Sequence, residues 1–337
     1  MLGVANSITA VGSDALVSSP CFQKQVSTGS IQTLSSTNAT LEAQQLAKVD
    51  VEFGAYMADP TNNKSVSVSA AEDPGALNRA EWLEFFAAFY NKEQLANTLT
   101  AQINNNYNRL KQAASGYNPK PVIAWANYVA PSQYNYNVAS WLVSNATYKV
   151  QLATDAGGSA LGYGNYSNPA DFQKAIANVD VLIDETFVAS NLSDVLNNYN
   201  ISAADQNNYK FIKNKALYRE DGVSTLAGGQ DWLEAAIVMA DAVLEDVINA
   251  INPTAPTSNY TRHWLRNVAL NEQVRMSSDV NCTSNENDAR ADEATNYTST
   301  AAFTQPSANS SGAVASLTVA SSTILASLVA TMFVLLQ

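Results

Sequence analysis

The stretch that most constrains the fold is residues 217–253, LYREDGVSTLAGGQDWLEAAIVMADAVLEDVINAINP. A short piece ending in Tyr218-Arg219 reads as a strand, and a loop holding Gly222, Gly228 and Gly229 follows. Asp231 then stands as a helix N-cap with Glu234 three residues on, the spacing of a capping box. Leu233, Ala236, Ile237, Ala240, Val243, Leu244, Val247, Ile248 and Ile251 recur at helical spacing, which predicts one amphipathic helix stopped by Pro253. Asp241, Glu245 and Asp246 fall on its predicted solvated face. A strand, a glycine loop and a long helix make a βα unit, which needs neighbouring strands and a helix layer to bury its apolar faces.

The chain supplies both. Residues 121–126, PVIAWA, are continuously apolar, as in a parallel strand buried on both faces. A Tyr/Asn loop over 127–137 comes next, then a predicted helix around 138–143, a segment 148–158, a helix over 168–177 and a strand over 179–186. Upstream, 40–49 reads as a helix and 51–53 and 66–68 as strands. Asn78, with Glu81 at N3, caps a helix made apolar by Trp82, Leu83, Phe85, Phe86, Phe89 and Tyr90, a core helix. Residues 92–114 form a second helix with a narrow stripe of Leu95, Leu99, Ile103, Tyr107 and Leu110. At ~1.5 Å per residue it spans over ~30 Å, and Gly116 and Asn118-Pro119 end it. The expected class is α/β: two lobes with parallel-sheet three-layer sandwiches joined by one long helix.

Only 14% of the 337 residues are charged, against 46% apolar, so a sizeable core sits beneath a surface of Asn, Ser and Thr. The net charge of −12, with no basic run, excludes nucleic acid as a partner. Cys21 and Cys282 lie in no metal-binding spacing. They form one long-range disulfide or stand as two buried thiols, and the secretory features below favour the disulfide. Asn-x-Ser/Thr sequons occur at Asn38, Asn63, Asn145, Asn165, Asn191, Asn200, Asn259, Asn281, Asn296 and Asn309, several of which chance alone would give.

The N-terminus has no basic region and no uninterrupted apolar run, so it reads as the inside of a lobe, with a first strand and any export signal expected upstream. Beyond residue 275 the chain turns polar and low in apolar residues, as in a disordered, glycosylatable stalk. Small residues Asn309-Ser310-Ser311, a spacer over 312–322 and the apolar TILASLVATMFVLLQ then match a GPI-anchor signal, with attachment at Asn309 and the tail removed. A tail-anchored helix is the competing reading, but the apolar run is short for a span of ~20 residues. The expected location is the extracellular face of the plasma membrane or the cell wall.

No catalytic constellation stands out. His263 is the single histidine, no Gly-x-Ser-x-Gly elbow occurs, and one histidine argues against direct zinc or manganese binding. Asp184-Glu185 closes a strand, where adjacent side chains point to opposite faces, so a joint acid pair is not expected. The run Asp279-x-Asn281-x-Thr283-x-Asn285 fails as a calcium loop, with Ser284 at position 6 and Arg290 at position 12.

Several segments resemble the class III periplasmic-binding-protein family, which serves siderophore, haem, cobalamin and metal importers, here in what looks like a eukaryotic GPI-anchored surface version. They are Leu2-Gly3-Val4 with 8–12, 40–53, the run 152–158 ending in Ala156-Gly157-Gly158, and 217–253, together covering about residues 2–275 in family order. Val49-Asp50 stands where the family has Pro-Asp. The resemblance implies an N-terminal lobe over 1–91, an interlobe helix over 92–118, a C-terminal lobe over 119–275, a stalk over 276–311 and the anchor signal over 312–337. It implies a rigid, monomeric, non-enzymatic binder with no cofactor of its own, whose ligand is a small molecule: an iron chelate, haem or a cobalamin-like compound. Ligands in open α/β sheets lie beyond the carboxyl ends of strands, which nominates Tyr56, Trp125, Tyr128, Phe187, Arg219 and Trp232. Aromatic faces and one arginine suit a bulky, partly anionic ligand. Core packing competes as the role of Trp125 and Trp232. A structural or adhesive surface glycoprotein that keeps the fold without a ligand is the alternative, and a hydrolase using His263 ranks third.

Overall fold

The computed structural model describes residues 1–54, 61–187, 189–256 and 260–277. The first part holds β1 (Ala10–Val11), α1 (Pro20–Ser27), β2 (Gln32–Thr33), α2 (Ala39–Leu46), β3 (Glu52–Gly54), β4 (Ser65–Ser67) and α3 (Ala76–Ala88). Strand β1 pairs with β2 and β3 with β4, both in parallel, as separate two-stranded ribbons. Their modest core is Leu2, Leu83, Ala87 and Ala96, with Met1, Val4, Phe86 and Leu99 against it. Helix α3 starts at Ala76 behind Gly75, two residues before the predicted cap. Gly75 takes the N-cap position in extended backbone, and Asn78 lies inside the first turn.

Helix α4 (Glu93–Ala114) follows the expected span. Ile103, Tyr107, Leu110 and Ala114 are buried along one side. Polar contacts fix its rotation: Tyr107 Oη donates to Asp155 at 2.9 Å, Lys111 pairs with the same carboxylate, and Asn106 Nδ2 donates to Asp241 at 3.0 Å.

Downstream come β5 (Val122–Val129), β6 (Ser140–Val143), α5 (Thr147–Asp155), β7 (Ser159–Ala160), β8 (Gly164–Tyr166), α6 (Pro169–Ile176), β9 (Val181–Asp184), α7 (Leu192–Asn198), α8 (Lys210–Lys213), β10 (Leu217–Arg219), β11 (Val223–Ser224), α9 (Ala240–Ile251), β12 (Arg266–Asn267) and β13 (Arg275–Met276). The main sheet runs β12-β10-β9-β5-β6-β8, with β7 also against β5. Its centre is parallel, and β12, β6 and β8 join antiparallel. Side chains alternate across it as the pleat requires. Ile123, Trp125, Val181, Ile183 and Tyr218 enter the core shared with α4, α5 and α9, while Ala124, Ala126, Leu182 and Leu217 enter the core under α6 and α7. The result is a three-layer α/β unit, as expected.

Three local expectations are corrected. Residues 140–143 form a strand, because Trp141 and Val143 alternate with less buried neighbours at period two and pair with β5. The predicted helix from Asp231 is two 3-10 turns, Asp231–Leu233 and Ala235–Val238, before α9 begins at Ala240. Asp231 does not cap it: its carboxylate accepts from Trp264 Nε1 at 2.8 Å and faces His263 Nε2 at 3.2 Å. Finally, Asp241 and Asp246 are not solvated, being 6% and 0% exposed. Asp246 accepts the backbone N–H groups of His263, Trp264 and Leu265 and the hydroxyl of Tyr260. Helix α9 is thus buried nearly all round.

Among the described residues no helix is long and apolar enough to cross a membrane. Cys21 lies in the first turn of α1; its expected partner Cys282 lies outside the described residues, as do Asn259, Asn281, Asn296 and Asn309. The sequon asparagines 38, 63, 145, 165, 191 and 200 are all exposed.

Candidate functional site

Ala126 on β5, Asp184 on β9 and Arg219 on β10 sit level in the sheet. Beyond them the three strands release Asn127-Tyr128-Val129, Glu185-Thr186-Phe187 and Glu220-Asp221-Gly222. This is the strand-end face where an open α/β sheet offers a ligand its site.

The floor of that face is a closed ionic network. Arg219, 2% exposed, pairs with Asp184, and its Nε donates to Asp221 at 2.9 Å. Arg266 from β12 grips Asp221 with Nε and Nη2, both at 2.8 Å, and reaches Ser190 O at 2.7 Å. The remaining Asp184 valences take the hydroxyls of Tyr199 at 2.6 Å and Thr186 at 2.7 Å. On the opposite side of the sheet, Trp125 Nε1 donates to Glu220 at 2.9 Å, Lys149 pairs with Glu185, and the Arg79 guanidinium lies 3.7 Å over the Tyr148 ring. Burial pulls the Lys149 ammonium down and pushes the Glu220 carboxyl up, each against the attraction of the other.

The nominated residues therefore separate. Trp125, Arg219 and Trp232 point into the protein and are at most 5% exposed. Tyr128 is half-buried, with its ring 5.5 Å from Trp141, and its N–H donates to Thr186 Oγ1 at 3.0 Å. That bond sets residue 128 beside Thr186, whose chain neighbour Phe187 is 55% exposed. Tyr56 lies outside the described residues. Sequence reasoning missed Lys149 and Glu220, while Asp184 and Glu185 do turn to opposite sides, Asp184 to Arg219 and Glu185 to Lys149. The available signal was a lone lysine among the core positions of α5. An open volume of about 660 Å³ lies elsewhere, along Gln94, Thr98, Ala101 and Asn105 of α4. The strand ends carry the convergent chemistry, so they are the candidate site: an open face with aromatic walls over a satisfied charged floor.

The floor also sets an acid limit. Burial pushes the Asp221 carboxyl up, but hydrogen bonds and charge from Arg266 and Arg219 outweigh it and hold the group below the usual carboxylate range. Burial likewise opposes, and bonds from His263, Ser18 and Trp264 overcome, the shift at Asp231. Because both folded carboxyls sit below the unfolded value of about 3.9, acid protonates the unfolded chain first. Their stabilisation is complete above about pH 4 and is lost as pH falls below it. In a pH series of urea unfolding curves, Asp221→Asn is expected to lower the plateau and flatten that acid limb. An acid limb identical to wild type would remove Asp221 from this role.

No protein-family model and no curated protein sequence matches the chain. Solved structures do. A periplasmic haem-binding protein from Pseudomonas aeruginosa shares 14% identity, with 81% of this chain and 93% of that one covered, at a TM-score of 0.52. A TroA-like periplasmic binding protein, FepB, from Veillonella parvula shares 17% over 73% and 81%, at 0.45. Unliganded FhuD2 from Staphylococcus aureus shares 11% over 74% and 96%, at 0.45. The fold is that of the two-lobed periplasmic solute-binding proteins.

Proposed function

We propose that the chain is a non-enzymatic binding protein for a small molecule, an iron chelate, haem or a cobalamin-like compound, held where β5 and β9 end. The observation that carries this reading is Phe187, an exposed aromatic one residue past the Thr186 that anchors Tyr128, on the strand-end face of a solute-binding fold. The ring, left 55% in water above a floor whose charges are already paired, offers an apolar face for a ligand to cover. Titration of the full chain with haemin, ferrichrome and cyanocobalamin, read by Soret absorbance and tryptophan quenching, is expected to saturate with one of them. Phe187→Ala should weaken that binding about five- to tenfold, the worth of one aromatic contact, with the unfolding midpoint unchanged. If none of the three saturates, the chelate reading is lost.

The protein is further proposed to act at the extracellular face of the membrane or cell wall, as a monomer anchored by GPI at Asn309, glycosylated, and tied by a Cys21–Cys282 disulfide. The exposure of all six described sequon asparagines supports the glycosylated surface reading. Release from intact cells by phosphatidylinositol-specific phospholipase, with Cys21 and Cys282 in one peptide pair on a non-reducing map, is the expected result. Retention after phospholipase would exclude the anchor. The interior commitment of Trp125, Arg219 and Trp232 favours, as a second reading, an adhesive glycoprotein that keeps the fold with no ligand in the cleft.

A further inference from the structure

Strands β5 and β6 form a hairpin longer than the sheet it belongs to. Asp184, the last residue of β9, pairs with Ala126, and β5 continues through Val129. Three further residues at about 3.3 Å each carry the turn roughly 10 Å past the end of β9. The tip exposes Tyr134 (59%), Tyr136 (92%) and Val138 (53%).

Such exposure would be unremarkable on a floppy loop, but this one is held. Ser132 and Asn135 form a reciprocal capping box. Asn135 Nδ2 donates to Ala130 O at 2.8 Å, and Asn137 N donates to Ser132 O at 2.8 Å. Tyr136 and Asn137 sit consecutively at φ +58° and +56°, a left-handed pair that a Cβ disfavours. The turn's local hydrogen bonds therefore hold its backbone in one shape, so the backbone share of the ordering cost is met before anything binds.

From Pro121 to Tyr148 there is no Asp, Glu, Lys, Arg or His, in a chain of net charge −12. The partner is accordingly not chosen by charge. Its size is bounded too. Seven residues of the turn are exposed, whereas a stable protein interface takes about 20–30 a side. Two tyrosine faces, flanked by the exposed side-chain amides of Gln133 and Asn137, fit a few sugar rings: aromatic faces take C–H surfaces and amides take hydroxyls. We infer that the 130–138 turn is a recognition arm for a neutral glycan chain. The inference does not rest on the chelate reading, since neither Tyr128 nor Phe187 is one of its residues.

The test is calorimetric titration of the full chain with laminarihexaose, cellohexaose and mannohexaose, with polygalacturonate as the charged comparison. One neutral oligosaccharide is expected to bind saturably, with an affinity that does not fall as salt is raised. Tyr134→Ala combined with Tyr136→Asn, the latter chosen because asparagine tolerates the left-handed backbone, should weaken it about tenfold or more. A second pair, Gln133→Ala with Asn137→Gly, should also weaken it and guards against a fold defect in the first. Haemin or ferrichrome titrations of the same variants should match wild type. No saturable binding by any neutral oligosaccharide, preference for polygalacturonate, affinity indifferent to both variant pairs, or a turn that engages only a protein would overturn the assignment.

Discussion

Asp246→Ala is expected to be among the most damaging single changes in this protein, costing about 3–6 kcal/mol from the hydrogen bonds it leaves unmade. The carboxylate is fully buried on α9 and accepts from three consecutive backbone N–H groups, with N···O distances of 2.8, 2.6 and 3.0 Å, and from the Tyr260 hydroxyl at 2.7 Å. Trp264 and Leu265 are themselves buried, so their N–H groups are out of reach of bulk water. Each orphaned donor then costs about 1–3 kcal/mol, against a total stability of about 5–15 kcal/mol. The same segment leads into Arg266 on β12, so its release also loosens the floor beneath the strand ends. Asp246→Asn keeps one acceptor oxygen and should cost about half as much. Urea unfolding followed by far-UV circular dichroism measures both. A loss under about 1 kcal/mol for the alanine variant would mean that packing of Trp264, and not the carboxylate, holds residues 260–265.

Asp246 also marks where sequence reading stops. The apolar spacing of α9 is legible, because burial of Val243, Leu244, Val247 and Ile248 needs only a periodic stripe. The acidic residues between them look solvated by the same logic, yet Asp246 is buried under backbone donors from residues 263–265 and Asp241 under the Asn106 amide of α4. The βα alternation, α4 and the central strands of the sheet follow from local pattern. Strand β6 does not, since four residues carry too short a period to oppose a helical reading, and only its antiparallel pairing with β5 decides it. At the site, strand-end position alone nominated Trp125, Arg219 and Phe187 together. Which of them faces solvent depends on the partner each side chain finds: Glu220 for Trp125, and Asp184 and Asp221 for Arg219, whereas Phe187 stays exposed. Residues on adjacent strands supply those partners, so no window along the chain reveals them.

Arg219→Met is expected to cost about 3–5 kcal/mol, because it strands buried carboxylates rather than because the ion pair is itself worth that much. Asp184 is fully buried and Asp221 nearly so, and both lose a cation at once, although Arg266 still holds Asp221. Asp184→Asn removes the opposing charge and leaves an oxygen for Tyr199 and Thr186. The double variant should therefore fall short of the sum of the two single losses by about 1–3 kcal/mol, a coupling normal for groups in one network. This cycle bears on function as well as on stability. If Arg219 is scaffold, any folded Arg219→Met protein keeps its affinity for the bound chelate within about threefold, while Phe187→Ala loses affinity with stability intact. If Arg219 instead turns out to a bound anion, the ranking reverses: affinity falls more than about tenfold and the coupling to Asp184 shrinks once ligand is present. Unfolding curves with and without the chelate, on the same four proteins of the cycle, separate these outcomes. The geometry favours the first, because a guanidinium with two carboxylates already in place has little charge left to offer a ligand.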